Sequence, residues 1–179
     1  SFLFFDTSGI PVGATVTSAI LSLYPVADVS TTDFSVTIQS DGANPHNPLI
    51  SGDFFKGYYS GSYGATSSAS ISVGTYWNIT LTDTSIINLG SQTNMTLRSS
   101  LDITGTAPSG DEYAVFASYE YGLVTNAPRL IITYTVTGSA YTITGPYYEN
   151  GNLVDGNVNV TLSYTNGFSE VYNLDGSDG

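Results

Sequence analysis

The sequence has no cysteine, few basic residues and no long apolar run, and each absence narrows the function. Without cysteine there is no disulfide framework and no thiol chemistry. Lys and Arg number 3 against 15 Asp and Glu, so the net charge is −12 and the surface repels nucleic-acid phosphates and anionic lipid. No run of about 18 apolar residues exists to span a membrane. We therefore expect neither nucleic-acid binding nor membrane insertion.

Side chains that commonly carry catalysis are scarce as well. The single histidine, His46, lies in the proline-rich stretch Asn44–Pro48, which is typical of a loop, and no second histidine accompanies it. The serines include no G-x-S-x-G nucleophile elbow. Acidic turns at Asp41 and Asp175 lack EF-hand spacing and are typical of solvated loops. We predict no enzymatic activity, no cofactor and no bound metal.

Small polar residues and tyrosine are what the chain has in abundance. Only 10% of its residues are charged, while Thr, Ser, Gly, Asn and Tyr are frequent. Three N-x-[ST] sequons make Asn78, Asn94 and Asn159 candidate glycosylation sites. This composition indicates an extracellular or cell-surface protein, and 179 residues suffice for one sizeable β domain.

Alternating apolar residues predict a chain of short strands. The predicted strands cover 15–24, 33–39, 69–73, 76–81, 94–99, 112–118 and 129–136, with one helical turn at 84–89. Alternation places Ala19, Leu21 and Leu23, and likewise Val36 and Ile38, toward the core. A long connection, 40–68, carries an aromatic cluster. Many short strands with Gly, Pro and Asn turns predict an all-β, jelly-roll-like two-sheet antiparallel sandwich.

The strand at the start of the sequence is unusual. Phe2 and Phe4 point to one side, and Leu3 and Phe5 to the other, so the strand is apolar on both faces. Such a strand is normally buried on both faces in the middle of a sheet. We expect these four residues to need a cover, and we expect a neighbouring copy to supply it.

Four blocks of sequence carry a resemblance to a known group of domains. FLFFDTSGIPVGATVTSAILSLY, GDFFKGYYSGSYG, TLRSSLDITGTAPSGDEYAVFAS and APRLIITYTV occur in this order over residues 1–136. Together they resemble the DNRLRE and disaggregatase-related β-sandwich domains of archaeal and bacterial surface proteins. The resemblance implies a sandwich, in some relatives a carbohydrate-binding module. In that family one or two strands precede the FLFFD block, so it also implies a domain that starts one or two strands in.

The remainder of the chain has a different residue pattern, which predicts a second unit. We divide the sequence into a sandwich domain, 1–137, and a strand-rich extension, 138–179. In the extension, Val158, Val160, Leu162 and Tyr164 alternate with polar residues. About forty residues without disulfides or metal cannot bury enough surface to fold alone. The extension must therefore lie against something.

Donor-strand complementation would satisfy both ends of the chain. The extension of one copy would add strands beside Phe2–Phe5 of the next, and this head-to-tail contact would build a filament. Two alternatives stay open: the extension folds back on its own domain, or the chain is a fragment of a longer protein. The predicted function is a structural subunit of a cell-surface filament, and its partners are copies of itself. The alternative is a non-catalytic carbohydrate-binding module or adhesion repeat, with glycans as partners.

A few further residues are candidates for specific chemistry. Lys56 lies among aromatic residues, and burial there would favour an isopeptide cross-link assisted by Glu112 or Glu120, as in pilin-type surface proteins; an ordinary exposed lysine is the alternative. Arg98 is expected to form an ion pair with Asp102 or Glu120.

The tyrosines are candidates for a sugar platform, because an exposed aromatic ring can stack on a sugar. The candidates are Tyr58, Tyr59 and Tyr63, followed by Tyr119 and Tyr121. Tyrosine also favours strands, so these residues are equally consistent with a structural role.

Overall fold

The structure, a computed structural model, describes residues 1–40, 44–120 and 125–136, and beyond these only the backbone of four short strands. Within the described residues the regular secondary structure is mostly strand in antiparallel sheets, with one short α-helix, α1 (Ser100–Thr104). No helix in that part of the chain is long and apolar enough to cross a membrane. The predicted all-β sandwich is confirmed.

Thirteen strands are described, and nine of them build the sandwich. In chain order these are β1 (Phe2–Asp6), β2 (Ala14–Leu23), β3 (Pro25–Asp28), β4 (Ser35–Ser40), β5 (Ser60–Ser67), β6 (Trp77–Thr80), β7 (Gln92–Ser99), β8 (Ala114–Phe116) and β9 (Arg129–Val136). The front sheet has the order β1-β7-β4-β5, and the back sheet the order β6-β2-β9, accompanied by the pair β3-β8.

The core lies between the two sheets and follows the predicted alternation. Ala19, Leu21 and Leu23 of β2 are fully buried, as are Ile38 of β4 and Met95 of β7. Each buried side chain of this size stabilises the fold by about 1.5–3 kcal/mol relative to exposure. The inward-facing positions predicted for the strands at 15–24 and 33–39 are therefore confirmed.

The pair β3-β8 continues the back sheet beyond the break at Pro25. Successive carbonyls of a strand point to opposite sides. The Pro25 carbonyl accepts from Gly74 N (3.0 Å), just before β6, whereas the Tyr24 carbonyl accepts from Ala117 N (2.9 Å), just after β8. β8 therefore lies on the same flank of the back sheet as β9.

Two local predictions are wrong. The stretch 69–73 is not a strand: Ser67 accepts from Ala69 N and Ser70 donates to Ser67 O, so Ser68–Ser70 forms a 3₁₀ turn. The stretch 84–89 is not helical but makes a single turn closed by Ile87 N on Thr84 O. Conversely, β5 lies where a long connection was expected.

The described part of the extension contains four strands. These are β10 (Tyr148–Glu149), β11 (Asn152–Leu153), β12 (Val158–Ser163) and β13 (Ser169–Leu174). In the part of the extension that the structure describes, β10 pairs with β11 and β12 with β13, so each pair is a two-stranded sheet. The register of the second pair aligns Val158 with Leu174 and Val160 with Tyr172. Tyr164 and the stretch 140–144 lie outside the described residues.

Candidate functional site

The first strand, β1, lies at the rim of the front sheet. It pairs with β7 from Phe2 opposite Thr96 to Asp6 opposite Gln92, and Ser1 and Leu97 exchange two further backbone hydrogen bonds of 3.0 and 2.8 Å. No strand in the described part of the chain is bonded to its other edge. The expectation that this strand lies in the middle of a sheet is wrong for the single chain.

A groove of about 870 Å³ runs along this unpaired edge. All of Ser1–Asp6 line one wall, and the stretch 114–120, from β8 onward, lines the other. The floor includes Leu23 and Leu97, and the far wall presents Val115 and Tyr119, which are 42% and 64% exposed. The groove is thus the open flank of the sandwich, where the edge of the front sheet faces the edge of the back sheet.

The two faces of β1 are partly covered by the chain itself. Leu3 and Phe5 pack against the core. On the opposite face, the Phe2 ring makes an edge-to-face contact with Phe54 at 5.4 Å and lies 5.9 Å from Tyr59. Phe2, Leu3, Phe4 and Phe5 nevertheless stay only half-buried. The cover expected from a neighbour comes in part from this chain, and what lacks a partner is the edge of the strand.

The cover over Phe2 belongs to a loop that is held by a buried carboxylate. Asp53 is 0% exposed, and its carboxylate accepts from His46 N (3.1 Å), the His46 ring Nδ1 (2.8 Å) and Ile50 N (2.8 Å). Burial alone would raise the pKa of this carboxyl, but the hydrogen bonds from Ile50 and His46 outweigh it and lower the pKa. The expected loop histidine is confirmed, and its ring helps to fix the loop.

The same loop has one further internal hydrogen bond and is fixed to the front sheet by the side chains of Asn94 and Arg98. The Tyr59 hydroxyl donates to the Asp53 carbonyl at 2.7 Å, and Asn94 Nδ2 donates to the Pro45 carbonyl at 2.9 Å. Arg98 donates to the carbonyls of Lys56 and Tyr59, both at 3.3 Å. These hydrogen bonds hold the loop over the outer face of β1 and β7.

Arg98 also makes the predicted ion pair. Its Nε lies 2.7 Å from Oδ2 of Asp102, which is four residues further along the chain. The hydrogen bond from Arg98 lowers the pKa of the Asp102 carboxyl, against the opposing effect of its partial burial. Of the two expected partners, Asp102 is the one confirmed.

The burial on which an isopeptide cross-link at Lys56 depends is not observed. The Lys56 side chain is 66% exposed, and its Nζ lies 3.4 Å from Asp102 Oδ1. Glu112 instead accepts hydrogen bonds from Thr31 and Thr32, which lower its pKa. Glu120 lines the groove. Lys56 is an exposed lysine in a surface ion pair.

Two of the three tyrosines predicted to form a sugar platform are not exposed for stacking. Tyr59 is 5% exposed, and Tyr63 packs against the core, so neither ring can stack on a sugar. Tyr58 is 45% exposed, and Tyr119 presents its ring to the groove. Tyr121 lies outside the described residues.

The asparagines of the three sequons differ in how accessible their side chains are for glycosylation. Asn78 is exposed on β6, and its Oδ1 accepts from Ser22. Asn94 is unsuited to glycosylation in the folded chain, because the amide nitrogen that would carry the sugar donates to Pro45 and its Oδ1 is buried. Asn159 lies on β12, and its side chain is outside the described residues.

Sequence reasoning found one wall of the groove and missed the other. Phe2–Phe5 were identified from their alternation, whereas Val115 was predicted only as part of a strand and Tyr119 only as a candidate sugar platform. The alternation of 112–118 marks a strand but does not tell which strand it faces across the sandwich.

No known protein family, no curated protein and no solved structure matches the chain. The resemblance to DNRLRE domains accordingly stays a prediction. The geometry of the open flank is the feature that points to a function.

Proposed function

We propose that this chain is a structural subunit that assembles head-to-tail by strand addition, with β12 of one copy pairing with the free edge of β1 in the next. The observation that carries this proposal is the unpaired edge of β1 beside an apolar groove. A strand that adds to an exposed edge gains main-chain hydrogen bonds, and pockets beside the edge receive its alternate side chains.

The dimensions of donor and acceptor support the pairing. β1 has five residues and β12 has six, so at about 3.3 Å per residue the two strands span similar lengths of roughly 17 and 20 Å. The predicted interface residues of the donor are Val158, Val160, Leu162 and Tyr164. Burial of four such side chains at about 1.5–3 kcal/mol each contributes on the order of 10 kcal/mol before the cost of ordering.

The donor strand needs a further strand beside it to become stable. A two-stranded hairpin is marginally stable in water, and three or more strands with an apolar face are needed for independent stability. Among the described residues, β12 pairs with β13 alone. Addition of this pair to β1 would extend the front sheet of the acceptor by two strands, and the contact would repeat along a filament.

An extracellular setting is part of the proposal. A surface rich in Thr, Ser, Asn and Tyr, with only 10% charged residues, suits a secreted structural protein. The exposed sequon at Asn78 is compatible with glycosylation at the surface.

The proposal is tested by electron microscopy of the purified full chain in negative stain. We expect filaments for the native sequence, and only compact particles for Leu162→Asp, because a charge in the groove would be buried unpaired. Thr161→Asp is the matched control, since it places the same charge at the polar position of the alternation, and it should still form filaments.

A synthetic peptide covering 156–165 provides a second test. It should occupy the acceptor groove and shorten the filaments in proportion to its concentration, whereas a peptide of the same composition in scrambled order should not. Filaments that form equally well from Leu162→Asp, or after deletion of 138–179, would contradict the proposal.

A further inference from the structure

The loop that covers the outer face of β1 exposes an unusual amount of apolar surface. We call residues 49–58 the aromatic loop. Phe54, Phe55 and Tyr58 are 71%, 62% and 45% exposed, and Leu49 and Ile50 are 43% and 50% exposed. With about 200 Å² for each ring, the three aromatic side chains alone present roughly 350 Å² to solvent. A contiguous apolar patch of this size commonly marks an interaction site.

The aromatic loop presents these rings from a fixed backbone. Asp53 holds the loop from below through His46 and Ile50, and two 3₁₀ turns, Ser51–Phe54 and Lys56–Tyr58, shape it. The rings of Phe55 and Tyr58 also contact each other edge-to-face at 5.1 Å. Because the loop is already ordered, a partner would bind it without the entropic cost of ordering a mobile segment.

The patch is continuous with the groove. Leu49 is part of the groove lining, and the Phe54 ring contacts Phe2, whose strand forms the groove wall. A standard interface buries about 800 Å² on each partner, so the aromatic loop would supply nearly half of one. Groove and aromatic loop are therefore neighbouring parts of one surface.

The charges beside the aromatic loop indicate what binds there. Lys56 and Arg98 are two of the three basic residues of the chain, and both lie at this loop. The extension 138–179 carries five carboxylates, Glu149, Asp155, Glu170, Asp175 and Asp178, and no basic residue. Lys56 and Arg98 both pair with Asp102, but the Lys56 side chain is 66% exposed, so its positive charge stays accessible at the aromatic loop and favours encounter with the acidic extension.

We propose that the aromatic loop binds the extension of a second copy outside the strand that pairs with β1, and so forms the second half of the assembly interface. This inference rests on the proposed strand addition. The groove fixes the register of the donor strand, and the aromatic loop adds apolar area and attracts the acidic extension. Aromatic side chains that are rigid and exposed are frequent hot spots of protein interfaces.

The test compares two double variants of the full chain. Phe55→Ser with Tyr58→Ser removes two exposed rings that make no ring contact with β1. Val12→Ser with Val73→Ser is the control, because these valines are 77% and 54% exposed away from the groove. We expect the critical concentration for assembly, measured by sedimentation, to rise at least tenfold for the first variant and less than twofold for the control. Equal critical concentrations would overturn the inference.

A charge variant tests the same inference without removing apolar surface. Lys56→Glu should raise the critical concentration severalfold at low salt, and the difference from the native chain should shrink as salt screens the charge. A critical concentration unchanged at every salt concentration would count against a contact with the acidic extension.

The two proposals fail in different ways. If Leu162→Asp abolishes filaments while the aromatic variant assembles like its control, strand addition stands and the aromatic loop is not part of the interface. If the native chain forms no filaments under any condition, both proposals fall.

Discussion

One flank of this sandwich is closed, and the opposite flank is open. On the flank of β5 and β6 the sheets touch: a Cβ added to Gly64 would lie 2.5 Å from the Thr80 carbonyl oxygen, and Thr82 N donates to Tyr63 O at 2.9 Å. On the flank of β1 and β8 the sheets stand apart across a groove of about 870 Å³. The first flank is a seam of backbone and small residues, and the second is a cleft with phenylalanine along one wall.

The contrast shows what each edge is suited to do. Proteins commonly protect sheet edges with lysine, proline, bulges or a covering loop, because a bare edge can pair with another chain. The edge of β5 is covered by β6. The edge of β1 carries only Asp6 as a charged residue, at its end, and it is flanked by apolar side chains. One flank is therefore sealed and the other is available for pairing.

The sealed flank should respond most strongly to a small increase in volume. Gly64→Val places a branched side chain against the Thr80 backbone, which cannot give way as a flexible side chain would, so we expect a loss of about 2–3 kcal/mol in the free energy of unfolding. Urea denaturation measures it. Gly9→Val is the control, since a Cβ at Gly9 meets no atom within 4 Å; equal losses for the two variants would show that the seam is not tight.

The open flank should respond in assembly rather than in stability. Val115 is 42% exposed in the groove wall, so Val115→Asp should change the free energy of unfolding by less than about 1 kcal/mol. Once a donor strand fills the groove the charge would be buried, and the critical concentration for assembly should rise at least tenfold. Denaturation and sedimentation of the same sample separate the two effects. A variant that unfolds easily but assembles normally would reverse the comparison between the flanks.

Acid should loosen the loop beside the open flank before it affects the seam. Because the folded pKa of Asp53 lies below its unfolded value, its hydrogen bonds contribute stability above about pH 4, and this contribution is lost as the pH falls through the folded pKa. The amide protons of His46 and Ile50 should shift together in NMR spectra below about pH 4, while that of Thr66 in the seam stays in place.

Asp53→Asn is the control for this acid transition, because an amide does not titrate in this range. Shifts of His46 and Ile50 that persist in Asp53→Asn would assign the transition to another carboxyl, and Asp102 or Glu112, whose pKa values are also lowered, would then be the next candidates.

Salt should favour assembly, and this is the smallest effect expected. Copies with a net charge of −12 repel one another. Raising the ionic strength from about 0.01 to 0.15 M shortens the Debye length from about 30 to 8 Å, so the critical concentration should fall severalfold. Light scattering across a salt series measures the change. An increase of the critical concentration with salt would mean that attraction between unlike charges dominates the contact.

Sequence predicts the parts of this molecule that depend on local pattern. The alternation of Ala19, Leu21 and Leu23 was enough to orient β2, and that of Phe2–Phe5 was enough to mark β1 as a strand needing partners. β5 was not predicted as a strand, because Gly61 and Gly64 interrupt its apolar alternation. Gly64 is required there because the backbone of Thr80 leaves no room for a side chain.

The parts that sequence could not predict depend on distant contacts. The second wall of the groove is placed by the hydrogen bond between Tyr24 and Ala117, and no local pattern reports a contact across that separation. The aromatic neighbours of Lys56 in sequence left burial and exposure of its amine both open, and only the fold shows that the rings of Phe55 and Tyr58 are exposed and leave the amine exposed as well.

The seam at Gly64 has a consequence for the shape of any polymer. With that side shut, assembly through the edge of β1 would give each copy one acceptor edge and one donor extension. Such head-to-tail links would make an unbranched filament, or a ring where the rotation closes, so sheets or networks of this protein would need a contact of a different kind.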